Sequence, residues 1–120
     1  MQMKSFVKTA SFDAATSASG FIDTEDAIVA ALYMGAVWQS NAPLTFLAAA
    51  DKSSTYRSIL TDSGIEAVCV SMNTNKAISI VGTTAEALAP WRYIKLQSGY
   101  AASVITQGVA TSIALVLKRA

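Results

Sequence analysis

The side chains of this sequence that could do chemistry are mainly carboxylates. Asp23, Glu25 and Asp26 cluster along the chain, and Asp62 and Glu66 flank a turn. Two facing carboxylates at a defined gap supply the acid and base of a glycosidase. Several oxygens in one loop are what calcium prefers. The Asp23–Asp26 cluster lacks the glycine and the spacing of an EF-hand loop, so it reads as a solvated loop. Composition excludes other arrangements. The chain has no histidine, which removes a serine–histidine–aspartate triad, a cysteine–histidine pair and any histidine metal ligand. Cys69 is the single cysteine. Alone it makes neither an intrachain disulfide nor a zinc site. Its setting, Ala67-Val68-Cys69-Val70, reads as a buried strand in which cysteine acts as a small hydrophobe. The six glycines are scattered from Gly20 to Gly108 and form no phosphate-cradling loop. No enzyme, cofactor or metal is expected.

Aromatic residues offer recognition rather than reaction. Trp38 and Trp91 both sit beside loops. A tryptophan at the rim of a β-sandwich serves as a sugar-stacking platform or interface anchor, or simply plugs the core. Tyr93 and Tyr100 follow Trp91 closely, and Phe6 and Phe12 lie near the N-terminus. These six are the candidate contact residues. Trp91-Arg92-Tyr93 also has the composition of a base-stacking triplet. The net charge of +1, a pI near 7.8 and scattered basic residues argue against nucleic acid.

The elements that must carry these residues read as strands. Lys4–Phe12 alternates and gives a first strand. Asp13–Gly20 is a run of small residues, either a flexible loop or a strand on a tightly packed surface. Thr24 is placed to cap a helix. Residues 27–38 contain good helix formers (Ala30, Ala31, Leu32, Met34) among strand formers (Ile28, Val29, Tyr33, Val37). Strand is chosen because everything downstream reads as strand. Further strands are expected at Leu44–Ala48, Tyr56–Leu60, Ile65–Met72, Lys76–Val81, Trp91–Ser98, Ser103–Gln107 and Thr111–Leu117. The turn Asn73-Thr74-Asn75 would join two of them in a hairpin. Ala85–Leu88 has room for one helical turn before Pro90. In Trp91–Ser98, the residues Trp91, Tyr93, Lys95 and Gln97 share one face, and Arg92, Ile94, Leu96 and Ser98 the other. The pattern predicts one all-β domain over residues 1–120, an antiparallel β-sandwich or jelly roll of seven to nine short strands.

The chain is 52% hydrophobic and only 14% charged, where about 25% charged is usual. So few charges leave some surface to be covered by neighbours, which points to an oligomer or an assembly. No membrane segment is expected. The longest apolar run, residues 27–38, falls short of the roughly 20 residues a span needs, and no signal-peptide core follows Met1.

From Trp38 onward the order of features resembles small virion proteins of tailed phages and prophages. The resemblance rests on Leu44-Thr45-Phe46, Asp62-Ser63-Gly64 and the strand Arg92-Tyr93-Ile94-Lys95-Leu96-Gln97-Ser98-Gly99. Thr106-Gln107 and the ending Ile113-Ala114-Leu115-Val116-Leu117-Lys118 complete it. It covers about two thirds of the chain. It implies a jelly-roll sandwich made in the host cytoplasm and carried in the virion. The protein would be a capsid decoration (cement) protein bound to the major capsid protein and to copies of itself, a trimer being favoured. Residues 1–13 would form an arm or edge strand that grips the capsid or a neighbouring copy. The same strand also resembles discoidin-like sugar-binding sandwiches. The alternative is therefore a carbohydrate- or receptor-binding module of a fibre, tail or baseplate, with Trp38, Trp91, Tyr93 and Tyr100 as its contacts.

Overall fold

Alternating apolar and polar residues at period two put one face of each strand into a core. The computed structural model, which describes residues 4–119, shows this pattern organised into ten strands and one helix. They are β1 (Lys4–Phe12), β2 (Ile22–Asp23), β3 (Ile28–Met34), β4 (Leu44–Ala49), β5 (Arg57–Ser58), β6 (Val68–Cys69), β7 (Ala77–Ser79), α1 (Gly82–Leu88), β8 (Tyr93–Tyr100), β9 (Ser103–Val104) and β10 (Thr111–Arg119). One sheet has the order β1-β10-β3-β7. The other has the order β2-β8-β4-β5, with β6 also on β4 and β9 on β8. Every pairing between these strands is antiparallel.

β5 and β6 lie one after the other along the same edge of β4. Ser58 and Arg57 face Leu47 and Ala48, while Val68 and Cys69 face Thr45 and Leu44. They are two halves of one edge strand, parted by an excursion in which Leu60 bridges Glu66 around the turn at Thr61–Gly64. β9 is a short return at the end of β8. Counted so, eight strands remain, four to a sheet, and the chain changes sheet at every step except β4 to β5. This is the double Greek key of a jelly roll.

The core fills the space between the sheets. Ile113, Leu115 and Leu117 of β10 face Leu44 and Phe46 of β4 and Ile94 and Leu96 of β8, all buried. β3 contributes Val29, Leu32 and Met34. The odd spacing from Val29 to Leu32 comes from a β-bulge. Val116 pairs with Ala31 but Leu117 pairs with Val29, so Ala30 is the extra residue. The strand expected in residues 27–38 is present and stops before Gly35.

Three local expectations change, and one open alternative is narrowed. Residues 65–72 and 76–81 do not form a hairpin: β6 pairs with β4 and β7 with β3. The amides of Met34 and Asn75 reach across, to the carbonyls of Lys76 and Gly35, so the Asn73–Asn75 turn crosses between sheets. Thr24 caps no helix; it is buried, and its hydroxyl donates to the Trp91 carbonyl at 3.4 Å. β8 runs on through Gly99 to Tyr100, where a loop is expected. Residues 4–12 are an edge strand built into the sheet, paired with β10 along their length and giving Ala10 and Phe12 to the core. Of the two forms expected for residues 1–13, arm or edge strand, residues 4–12 take the edge strand, while residues 1–3 lie outside the described residues.

The small-residue run 13–20 is the packed alternative, not the flexible one. Ala18 bridges Gln97 and Thr16 bridges Gln107. Ser19 donates its amide to the Leu96 carbonyl and accepts the Leu96 amide on its hydroxyl at 2.9 Å, so β2 is extended along β8 by a side chain. Nearby, Gln107 ties the end of the sandwich together. Its Oε1 accepts the Gln39 amide at 2.8 Å, its Nε2 donates to Ser98 Oγ at 2.8 Å, and its backbone exchanges hydrogen bonds with Ala15 and Thr16. At 1% exposure it has no water to fall back on. Replacing Gln107 by Leu should destabilise the domain by about 2–4 kcal/mol in urea unfolding, because the Gln39 amide and the Ser98 hydroxyl lose their partners inside. A cost under about 0.5 kcal/mol would show that this end repacks freely.

Candidate binding surfaces

The acidic loop resolves into an ion-pair cluster. Arg92 forms a two-point contact with Asp23, Nε to Oδ1 at 2.8 Å and a terminal nitrogen to Oδ2 at 3.2 Å, and it lies 3.7 Å from Asp26. Lys8 lies 2.7 Å from Glu25, and Arg119 lies 3.7 Å from the same carboxylate. Glu25 and Asp26 take left-handed backbone angles to make the turn. Hydrogen bonding to Arg92 holds the Asp23 carboxyl below its usual range, and Lys8 does the same for Glu25. Asp23 and Glu25 are thus turned to neighbouring cations, and among the described residues no group of three or more acids stands placed to hold a metal ion. Asp62 and Glu66 are also apart in role: Glu66 accepts the Ala101 amide at 3.1 Å.

Cys69 is half-buried in β6, and burial pushes its thiol up to about 11. At neutral pH it is a protonated, weakly reactive group.

The six aromatic candidates divide. Phe12 is 1% exposed, and Trp38 packs edge-on against it with ring centres 5.4 Å apart. The Trp38 indole donates to the Ala42 carbonyl at 2.9 Å. These two plug the Gln107 end of the core, which takes both out of the set of contact residues. Phe6 is half-buried under the Arg119 guanidinium, 4.8 Å from its ring. Tyr93 is half-buried, with the Arg92 guanidinium 5.3 Å from its ring. Trp91 and Tyr100 are exposed, and they stand at opposite ends of β8. No single patch gathers the six.

Two surfaces that the sequence reading passed over are better formed. The first is the outer face of the β1-β10-β3-β7 sheet. Thr9, Ala114, Tyr33 and Ala77 form one cross-strand row, and Val7, Val116, Ala31 and Ser79 the next. Tyr33 is 65% and Val7 59% exposed. Among the outward positions of these four strands only Lys118 is charged. The signal was present in the alternate residues of Lys4–Phe12 and Thr111–Arg119, where the solvent side reads Ser, Val, Thr, Ser and Ser, Ala, Val, Lys. The second is a groove between Trp91 and the loop that follows β4.

No protein-family model matches the chain, and no curated protein matches it. Fold and surfaces together define an architectural class: a jelly-roll sandwich with one nearly uncharged sheet face and one open groove. Among solved structures, the fold is similar to that of the SPBc2 prophage-derived protein YomS, with a TM-score of 0.55. The likeness covers 99% of this chain and 96% of that one at 8% identity, so it is a likeness of fold.

The ion pairs set a pH dependence. A carboxyl whose folded pKa is depressed adds stability that is present above its ordinary value and lost as pH falls through the folded one. Wild type should therefore melt higher than Arg92→Ala at neutral pH, and the gap should close as the pH falls below the ordinary Asp23 value of 3.8. Thermal melts across the acid range check this. A gap that stays constant to the acid extreme would mean that the Asp23–Arg92 pair is not its source.

Proposed function

We propose that the protein is a virion structural protein of a tailed phage or prophage, and specifically a decoration protein that binds the major capsid protein shell. The observation that carries this reading is the nearly uncharged outer face of the β1-β10-β3-β7 sheet. Exposed charges must be desolvated when a surface is covered, whereas Val7, Tyr33, Val116 and the alanines and serines around them are covered at little cost. Ordinary surface carries far more charge. The fold shared with a prophage-derived protein and the phage-like order of motifs from Trp38 onward support the same setting.

Decoration follows from linkage. A protein that binds only the assembled shell stabilises the shell by its binding free energy. Self-association multiplies this, and a trimer suits contact points of local threefold symmetry. Three strands of the face pair over most of their length, which supports a surface pre-organised for a fixed partner.

Co-sedimentation of the purified protein with mature, undecorated capsids tests the proposal, with isolated tails as the control. Saturable binding at a fixed ratio to the capsid subunit is expected. Tyr33→Glu and Val7→Lys should each weaken it by about tenfold or more, since each buries an unpaired charge, while leaving the melting temperature close to wild type. Binding to tails alone, or to neither particle, would overturn the decoration reading.

A further inference from the structure

β4 ends at Ala49, and the chain continues through Ala50 into a loop before returning as β5. On the other side of this loop, Trp91 leads into β8. Between them is a groove of about 700 Å³. Its lining includes Ala48 and Ala49, both buried, whose small side chains leave the space open. Trp91, Ser53, Thr55 and Arg57 also line it.

The backbone of Trp91 is fixed. Its amide donates to the Leu88 carbonyl at 3.2 Å, and its carbonyl accepts the Thr24 hydroxyl. Its indole is 39% exposed, and the indole N–H has no partner among the described residues. In Trp38 the same group is tied to Ala42. Arg57 differs from the other two arginines in the same way. Arg92 and Arg119 each lie against a carboxylate, whereas Arg57 has no acidic partner among the described residues. No acid lines the groove. Asp51, the nearest in sequence, is turned into its own loop, where it accepts the Ser53 amide at 2.9 Å.

The groove is therefore lined by an exposed tryptophan, an arginine without an acidic partner among the described residues, and several hydroxyl-bearing residues. An aromatic face with hydroxyls around it suits the alternating C–H faces and hydroxyl rims of a sugar ring. A guanidinium with two free N–H edges suits a carboxylate, which it grips at two points. We infer that this groove binds a saccharide carrying a carboxylate, a uronic or sialic acid unit, stacked on Trp91 and held by Arg57. The assignment is independent of the proposed capsid role, since the groove and the uncharged face are built from different strands.

Titration calorimetry with two acidic probes and their neutral counterparts tests it. The pairs are tetragalacturonate against its methyl ester, and 3′-sialyllactose against lactose. At least one acidic probe should bind saturably, about tenfold or more tighter than its neutral counterpart. Arg57→Ala, at an exposed position, should bring that acidic probe down to the neutral level. Trp91→Ala should abolish binding of both members of the pair, and loss of the binding-linked change in tryptophan fluorescence should accompany it. Whichever pair responds distinguishes uronic from sialic acid. Silence from all four probes, equal binding of acid and ester, or acidic binding that survives Arg57→Ala would each overturn the inference.

Discussion

The end of the sandwich closes on one buried amide. Gln107 satisfies groups from the loop after Trp38, from the end of β8 and from the run after β1. Loops that meet over a hydrophobic core bring backbone N–H and C=O groups with them, and each must find a partner. A glutamine answers several at once, because its side chain both donates and accepts. The plug of Phe12 and Trp38 depends on this closure. So does the turn from β8 into β9, where Gly99 holds φ at +88°, and a Cβ there would sit 2.6 Å from the Ser103 carbonyl oxygen. Thr45 stitches the same region, its hydroxyl 2.7 Å from the Gly99 carbonyl.

The opposite end is held differently. There Lys8, Arg92 and Arg119 meet Asp23, Glu25 and Asp26 on the surface. Exposed pairs of this kind contribute little each to stability, but they fix the turn between β2 and β3 beside Trp91. One end is thus closed by buried neutral hydrogen bonds and the other by exposed charges. The uncharged sheet face runs between them. This division leaves the domain with a stable frame and with surfaces that stability does not require.

Legibility followed the regularity of each strand. β10 and β8 alternate cleanly, so Ile113, Leu115, Leu117, Ile94 and Leu96 were readable as core. β3 mimicked a helix because Ala30 bulges out and moves the inward residues to a spacing of three. The edge strand along β4 was harder, because residues 59–67 interrupt it and leave only two paired residues on each side. The expected hairpin at 65–81 failed because a short polar turn looks the same whether its flanking strands pair together or join opposite sheets. The candidate residues suffered from the same limit. Trp38 and Trp91 both sit beside loops in the sequence, and only tertiary packing separates a core plug from an exposed indole. Arg57 carried no signal, since lacking a partner is a property of the folded surroundings.

The position of β10 has a consequence for how the protein comes into being. It lies between β1 and β3, and its pairing sets Lys4 opposite Arg119. A ribosome delivers β10 after every other strand, so the first sheet has a gap at its centre until synthesis of the domain ends. Until then β1 and β3 expose apolar faces and bare edges, the features that make nascent chains aggregate. Pairing the first strand with the last also demands closure of nearly the whole chain as one loop, which slows folding relative to a fold built from local hairpins. The first sheet can therefore close only once β10 is available.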